Sequence, residues 1–205
     1  MNSSTQQEYW NKVAWDKTFT HPLDLDRFSE MVTKDANILD FGCGYGRTII
    51  ELNNAGFNSV KGVDTSLNLI NRAKKVSPDI DVQHIEPAQT PFESQSFDCV
   101  ILFAVLTCIP EADHQSNLVA EVRRILKPGG ILYLSDYLLQ PENTREAVYD
   151  QNGVFTISEG ATFRHHTIDY LRVLLKDFVS LKQNPVSVVT LSGNSAEAIQ
   201  CFFEK

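Results

Sequence analysis

The chain has 205 residues, of which 42% are hydrophobic and 21% charged, and its formal net charge is −8. That length can bury a sizeable core in one domain, and the composition is that of an ordinary soluble globular protein. An acidic chain offers no basic field for a long polyanion, which argues against nucleic acid as a partner.

The first ten residues, MNSSTQQEYW, are polar and lack a basic-then-apolar targeting pattern. The longest apolar run, Cys99 to Leu106, is far too short to span a bilayer. A cytoplasmic location and no membrane partner are therefore expected. Further on, Tyr9 with Val13 and Trp10 with Ala14 have helical spacing, in a segment that also holds Trp15 and Phe19. Residues 1–36 are expected to form a helical cap or lid, or else a helix packed on the sheet. Residues 37–205 form the main body of a single domain.

From Asn37 onward, short apolar runs alternate with helical patterns. Strands are predicted at Asn37–Phe41, Ser59–Asp64, Asp81–Ile85, Phe97–Leu106 and Ile131–Tyr137. Helices are predicted at Arg47–Gly56, where Gly56 ends the helix, and at Ser66–Val76, where Thr65 and Ser66 are capping types. A third helix spans Asp113–Leu126 and is stopped by Pro128, Gly129 and Gly130. This alternation predicts an α/β fold with a doubly wound, mostly parallel sheet.

The last third differs. Gly153–His166 reads as a small hairpin insertion turning at Glu159-Gly160, before the sixth strand. A helix at Thr167–Phe178 is followed by strands at Val179–Thr190 and Ala198–Glu204. The loop between those strands is too short for a crossover helix, so the last strand should run antiparallel. The four cysteines, Cys43, Cys99, Cys108 and Cys201, show no metal-ligand or redox spacing, and no metal site is expected.

ILDFGCGYGR, from Ile38 to Arg47, places three glycines within five positions, directly after an acid. Glycine in a folded segment costs conformational entropy, so something must approach this backbone closely. In an open parallel sheet the ligand site lies beyond the carboxyl ends of the strands, where this loop falls. The dinucleotide fingerprint G-x-G-x-x-G would need glycine where Arg47 stands; here the pattern is G-x-G-x-G. A carboxylate at Asp40 would repel a pyrophosphate but attract an ammonium or sulfonium. These features favour S-adenosylmethionine over a nicotinamide dinucleotide. Asp64, twenty positions after Gly44, stands where an acid receives ribose hydroxyls in nucleotide-binding sheets.

Four stretches in order, ILDFGCGYGR, GVDTS, TPFESQSFDCVILFAVL and LKPGGILYLSDY, resemble the class I S-adenosylmethionine-dependent methyltransferases. The resemblance covers about Asn37 to Tyr137 and points to a small-molecule branch. It implies a Rossmann-like methyltransferase fold of seven strands with the last inserted antiparallel. It further implies that Asp40, Gly42 and Gly44 surround the methionine part of the cofactor, and that Arg47 meets its carboxylate. Asp64 would bind the ribose, with Thr65 and Ser66 beside the adenine. Glu86 stands where the family has an acid that reads the adenine amino group, and Phe103 would offer its backbone carbonyl to the ammonium. Pro87 also falls at the adenine but has no N–H to donate, so that donor would come from a neighbour such as Ala88. Cys108 occupies a position where one branch carries a histidine.

Methyl transfer from a sulfonium requires alignment of a nucleophile, and a base only where the nucleophile carries a proton. The candidate catalytic residues are His165 and His166, which follow a strand-like run. Extended backbone turns alternate side chains to opposite faces, so at most one of them should enter a pocket. Asp136 and Tyr137 are further pocket candidates. The expected function is methylation of a small molecule. The alternative is a non-catalytic module binding S-adenosylmethionine or S-adenosylhomocysteine, since fold alone does not fix function.

Overall fold

The computed structural model describes residues 3–87, 89–141 and 148–205. Helices α1 (Ser3–Val13) and α2 (Leu25–Met31) precede strand β1 (Ile38–Phe41). Then follow α3 (Arg47–Asn54), β2 (Val60–Asp64), α4 (Leu67–Val76), β3 (Asp81–His84) and β4 (Phe97–Phe103). After α5 (Ala112–Ile125) come β5 (Leu126–Tyr137), the short strands β6 (Val154–Thr156) and β7 (Thr162–Arg164), α6 (Ile168–Leu174), β8 (Val179–Val189) and β9 (Ser195–Glu204).

Seven strands form one sheet in the order β3-β2-β1-β4-β5-β9-β8, and β6 pairs with β7 apart from it. The first five sheet strands are parallel, while β9 runs antiparallel between β5 and β8. This is the Rossmann-like α/β architecture expected from the alternating pattern, with the antiparallel insertion forced by the short β8–β9 loop. Central strands are buried on both faces, as a parallel sheet covered by helices requires. The core divides accordingly. Leu39, Val100, Leu102 and Leu132 pack on one side with α5 and α6, and Ile38, Cys99, Ile101 and Tyr133 pack on the other with α2 and α3. Among the described residues, no helix is long and apolar enough to cross a membrane.

Element ends follow local chemistry. Ser66 caps α4 by accepting the Leu69 N–H at 3.2 Å, and Thr167 caps α6 by accepting the Tyr170 N–H at 3.0 Å. Gly56, with φ +88°, ends α3 one residue after its cap, Ala55. Three expectations need correction. The run Phe97–Leu106 is not one strand: β4 stops at Phe103, because Ala104 adopts φ +53° and donates its N–H to the Ser135 carbonyl at 2.7 Å. The chain then makes a single 3₁₀ turn at Leu106–Cys108. Likewise, Pro128-Gly129-Gly130 is not a gap between helix and strand. It lies inside β5, which already pairs Leu126 with Phe97 and passes an irregularity before Cys99. The last helix is also shorter than predicted, ending at Leu174 rather than Phe178.

Candidate active site

A cavity of about 990 Å³ lies beyond the carboxyl ends of β1, β2, β4 and β5. Its floor is set by the loop after β1. Gly42, Gly44 and Gly46 all have positive φ, at +78°, +55° and +81°, which a side chain would strain. Side chains of the protein itself make the close approach. A Cβ on Gly42 would meet Val105 at 2.6 Å, and one on Gly44 would meet the Phe19 ring at 2.0 Å.

Asp40 is the next-to-last residue of a strand buried on both faces, and it lines the cavity. Its Oδ2 is buried and has no hydrogen-bond partner among the described residues. Burial pushes its carboxyl up to about 7; Arg47 opposes this, and Asp64 and Glu51 add to it. Asp64, at the end of β2, is also buried. It accepts the Gly44 N–H on Oδ2 at 2.8 Å and the Ser66 N–H on Oδ1 at 2.7 Å. Burial raises its pKa despite these two bonds. Each oxygen retains a lone pair for a further donor. Arg47 donates from Nη1 to Glu51 Oε1 at 2.8 Å and from Nη2 to the His21 carbonyl. Its Nε has no partner among the described residues.

Of the residues singled out in the sequence, Asp40, Gly42, Arg47, Asp64, Thr65, Pro87, Phe103 and His165 line this cavity. Gly44 and Ser66 stand just behind the wall, both bonded to Asp64. Glu86 is exposed and is not part of the lining. Ala88 lies outside the described residues. Alternation separates the two histidines. After β7 the chain runs beside the end of β5: His166 N–H donates to the Tyr137 carbonyl at 3.1 Å, and Leu139 N–H donates to the His166 carbonyl at 2.9 Å. His165 thereby faces the cavity, stacked on Tyr137 at 5.1 Å, with Nδ1 2.7 Å from the Tyr149 hydroxyl.

His166 turns the other way and is fully buried. Its Nε2 is 3.0 Å from Gln115 Nε2 and its Nδ1 is 3.6 Å from Asp136 Oδ1. Burial, with help from Arg164, lowers its pKa to about 3. Asp136, fully buried in the same network, is pushed up to about 7 by burial. It accepts N–H groups from Tyr137 at 2.8 Å and Thr107 at 3.2 Å. Asp136 and His166 thus brace the β4–α5 connection from below. Cys108 is a different case: it lines the cavity, its thiol donates to the Ala104 carbonyl at 3.2 Å, and burial pushes it well above the usual thiol range.

His21 was not singled out in the sequence. It is 4% exposed, lines the cavity, and sets Nδ1 2.9 Å from Ser135 Oγ. Its Nε2 has no partner among the described residues, and burial lowers its pKa to about 4. The one local signal is Pro22, which holds the preceding residue extended. The N-terminal helix reaches the same region. Gln7 donates to the Thr65 carbonyl at 2.7 Å, and Asn11 accepts the Ser66 hydroxyl at 2.8 Å and the Asn68 N–H at 3.1 Å.

An unpartnered buried carboxylate beside a glycine loop, and a second carboxylate with spare lone pairs, fit a ligand bearing an ammonium at one end and a diol further on. Fold and cavity define a Rossmann-like α/β protein whose site lies at the carboxyl edge of its parallel strands. Residues 39–134 match the family model for the methyltransferase domain. Among relatives, it is 31% identical over 124 residues to a 27-O-demethylrifamycin SV methyltransferase of Amycolatopsis mediterranei, covering 57% of this chain and 44% of that protein. The chain spans about half the length of the curated relatives it matches. The fold is shared with a methyltransferase structure from Methanosarcina mazei, with a TM-score of 0.78 and 24% identity over 90% of this chain and 98% of that one. It is shared too with the Burkholderia thailandensis 1,6-didemethyltoxoflavin-N1-methyltransferase, solved with its namesake and S-adenosylhomocysteine. There the TM-score is 0.70 and the identity 14%, over 99% of this chain and 88% of that one.

Proposed function

We propose that the chain binds S-adenosylmethionine in this cavity and transfers its methyl group to a small-molecule acceptor by in-line displacement. The observation that carries the reading is the buried, unpartnered Oδ2 of Asp40 beside the glycine loop. A lone carboxylate oxygen out of water is costly unless a cationic partner arrives. The bound cofactor supplies a methyl carbon on a sulfonium.

Each residue then has a task. Asp40 takes the ammonium, with the Phe103 carbonyl as a second acceptor, and Arg47 turns its Nε toward the carboxylate. Asp64 accepts ribose hydroxyls while holding Gly44, and Thr65 and Pro87 flank the adenine. The segment 1–36 serves as a cap: Gln7 and Asn11 tie α1 to residues 65–68, and Phe19 closes over Gly44. Excluding water there strengthens every charge interaction within the site. His165 faces the acceptor and can take a proton from a nucleophile that carries one. The acidic net charge and a cavity of about 990 Å³ suit a metabolite rather than a nucleic acid.

The test is turnover. The protein is incubated with S-adenosylmethionine and a metabolite panel, and S-adenosylhomocysteine is quantified. Acceptor-dependent product is expected. Cofactor binding without turnover on any acceptor would make the chain a binding module instead, and binding of a nicotinamide dinucleotide would overturn the assignment of the loop.

A further inference from the structure

The part of the cavity beside the β6–β7 hairpin is walled by aromatic rings. Phe155 on β6 and Phe163 on β7 are register partners, so their side chains leave the hairpin on the same face. Their ring centroids are 5.9 Å apart. Phe163 meets Tyr9 of α1 edge-on at 6.0 Å. On its other flank Phe155 meets Tyr149 at 5.4 Å and His165 at 4.8 Å, both steeply inclined. His165 lies flat on Tyr137. All six residues line the same cavity.

Charge is sparse in this part. The buried carboxylates that line the cavity, Asp40 and Asp64, belong to the glycine-loop side, while Asp136, next to Tyr137, is buried outside the lining and already accepts the Tyr137 and Thr107 N–H groups. Among the described lining residues, Glu111 pairs with His114 at 3.5 Å, and Glu159 is exposed and acted on by Lys17 and Lys12. A cation buried among the rings would need a desolvated acid to balance it, and neither glutamate is one. Rings meeting edge to face present alternating positive rims and negative faces. That pattern favours an aromatic guest over a saturated one of the same size.

We propose that this wall is the acceptor subsite and that the acceptor is a neutral aromatic or heteroaromatic ring. The acceptor role rests on the methyltransferase reading; recognition of the ring rests on the wall itself. Phe155 and Phe163 set the specificity, and Tyr149 fixes the orientation of His165 beside the guest.

The test is calorimetry on the whole protein saturated with S-adenosylhomocysteine, using 2-naphthol, its saturated counterpart decahydro-2-naphthol, and choline. Expected is at least tenfold tighter binding of 2-naphthol than of either other probe. Phe163→Leu and Phe155→Leu, which retain apolar volume, should each reduce that preference at least fivefold. The probe comparison on the parent protein stands even if a variant fails to fold. Equal affinities for 2-naphthol and decahydro-2-naphthol, tight binding of choline, or no binding of any probe overturns the proposal. Absence of S-adenosylhomocysteine binding in the first titration overturns the methyltransferase reading and the acceptor role with it. Cofactor binding without ring preference overturns the acceptor class alone.

Discussion

Gly44 and Asp64 are tied across the head of the sheet by a 2.8 Å hydrogen bond from the glycine N–H to Oδ2 of the acid. The other oxygen of Asp64 takes the Ser66 N–H. One carboxylate therefore sets the glycine loop after β1 against the end of β2, and fixes the spacing between the two before any ligand enters.

Asp64 should then have two separable effects. Asp64→Ala removes both backbone acceptors and any contact to a ribose. A hydrogen bond to a charged acceptor contributes about 1.5–3 kcal/mol, so S-adenosylhomocysteine affinity should fall at least tenfold by calorimetry, together with a drop in Tm. Asp64→Asn keeps one acceptor oxygen but sets an amide NH₂ against one of the two N–H donors. Its Tm should lie between parent and Asp64→Ala, with affinity still reduced. Parent-like affinity in both variants would take Asp64 out of the site.

Asp40 should trade stability against binding. Its folded pKa is about 7, whereas an unfolded aspartate ionises near 3.9. Between these values the folded protein holds a proton that the unfolded chain has released. The sign follows: this group's penalty is full above pH 7 and is relieved as pH falls toward 4. Asp40→Asn should melt higher than the parent at pH 8, with the difference shrinking to nothing near pH 4. The same variant should bind S-adenosylhomocysteine at least tenfold more weakly at pH 8. The parent's affinity should tighten from pH 6 to pH 8 as Asp40 ionises, and the variant's rise should be smaller. A variant that melts no higher and binds as well as the parent at pH 8 would refute both halves.

What the sequence made legible, and what it hid, follows from the range of the interactions involved. The parallel core was readable because β1 and β4 are buried on both faces and are apolar at every position but one acid each. Asp64 could be read from its distance to the glycine loop, and the antiparallel β9 from a loop too short to cross over. The end of β4 was not readable. Ala104 turns in the left-handed region, where no local signal marks an alanine; the turn is held by Ser135 on the next strand and by Val105 packed on Gly42. His21 was hidden for the same reason. Its place depends on Arg47 donating to its carbonyl, Gln200 donating to the Pro22 carbonyl at 2.7 Å, and the Ser135 hydroxyl hydrogen-bonded to its Nδ1 at 2.9 Å. Each of these partners is distant in sequence, and periodicity reports on none of them.

The two adjacent histidines should separate cleanly. His166→Ala empties a fully buried site packed against Gln115, Asp136 and Tyr170. Truncating a large buried side chain to alanine costs about 2–5 kcal/mol through the cavity it leaves, so Tm should fall by several degrees. His165→Ala alters the cavity wall and leaves that network in place, so Tm should stay near the parent value. Loss of a positioned base typically costs about 10²–10⁴ in rate, so turnover should drop at least tenfold while S-adenosylhomocysteine affinity changes little. Full activity in His165→Ala would discard the base, and an unchanged Tm in His166→Ala would discard the bracing role of the network.

Phe19 and Gly44 supply the most direct test of the cap. Gly44→Ala places a methyl 2.0 Å from the Phe19 ring at a residue with φ +55°. Gly56→Ala has the same kind of backbone strain, at φ +88°, but nothing within 4 Å of the added methyl. Strain alone costs about 1–2 kcal/mol, so Gly56→Ala measures that part and any further loss in Gly44→Ala measures the clash. If Phe19 seals the glycine loop, Gly44→Ala should also weaken S-adenosylhomocysteine binding, which Gly56→Ala should leave alone. Adding Phe19→Ala to Gly44→Ala should restore Tm toward the Gly56→Ala level, because the clash is removed. It should not restore affinity, because the cover is lost as well. Recovery of both Tm and affinity in the double variant would show that Phe19 packs on the loop without closing the site.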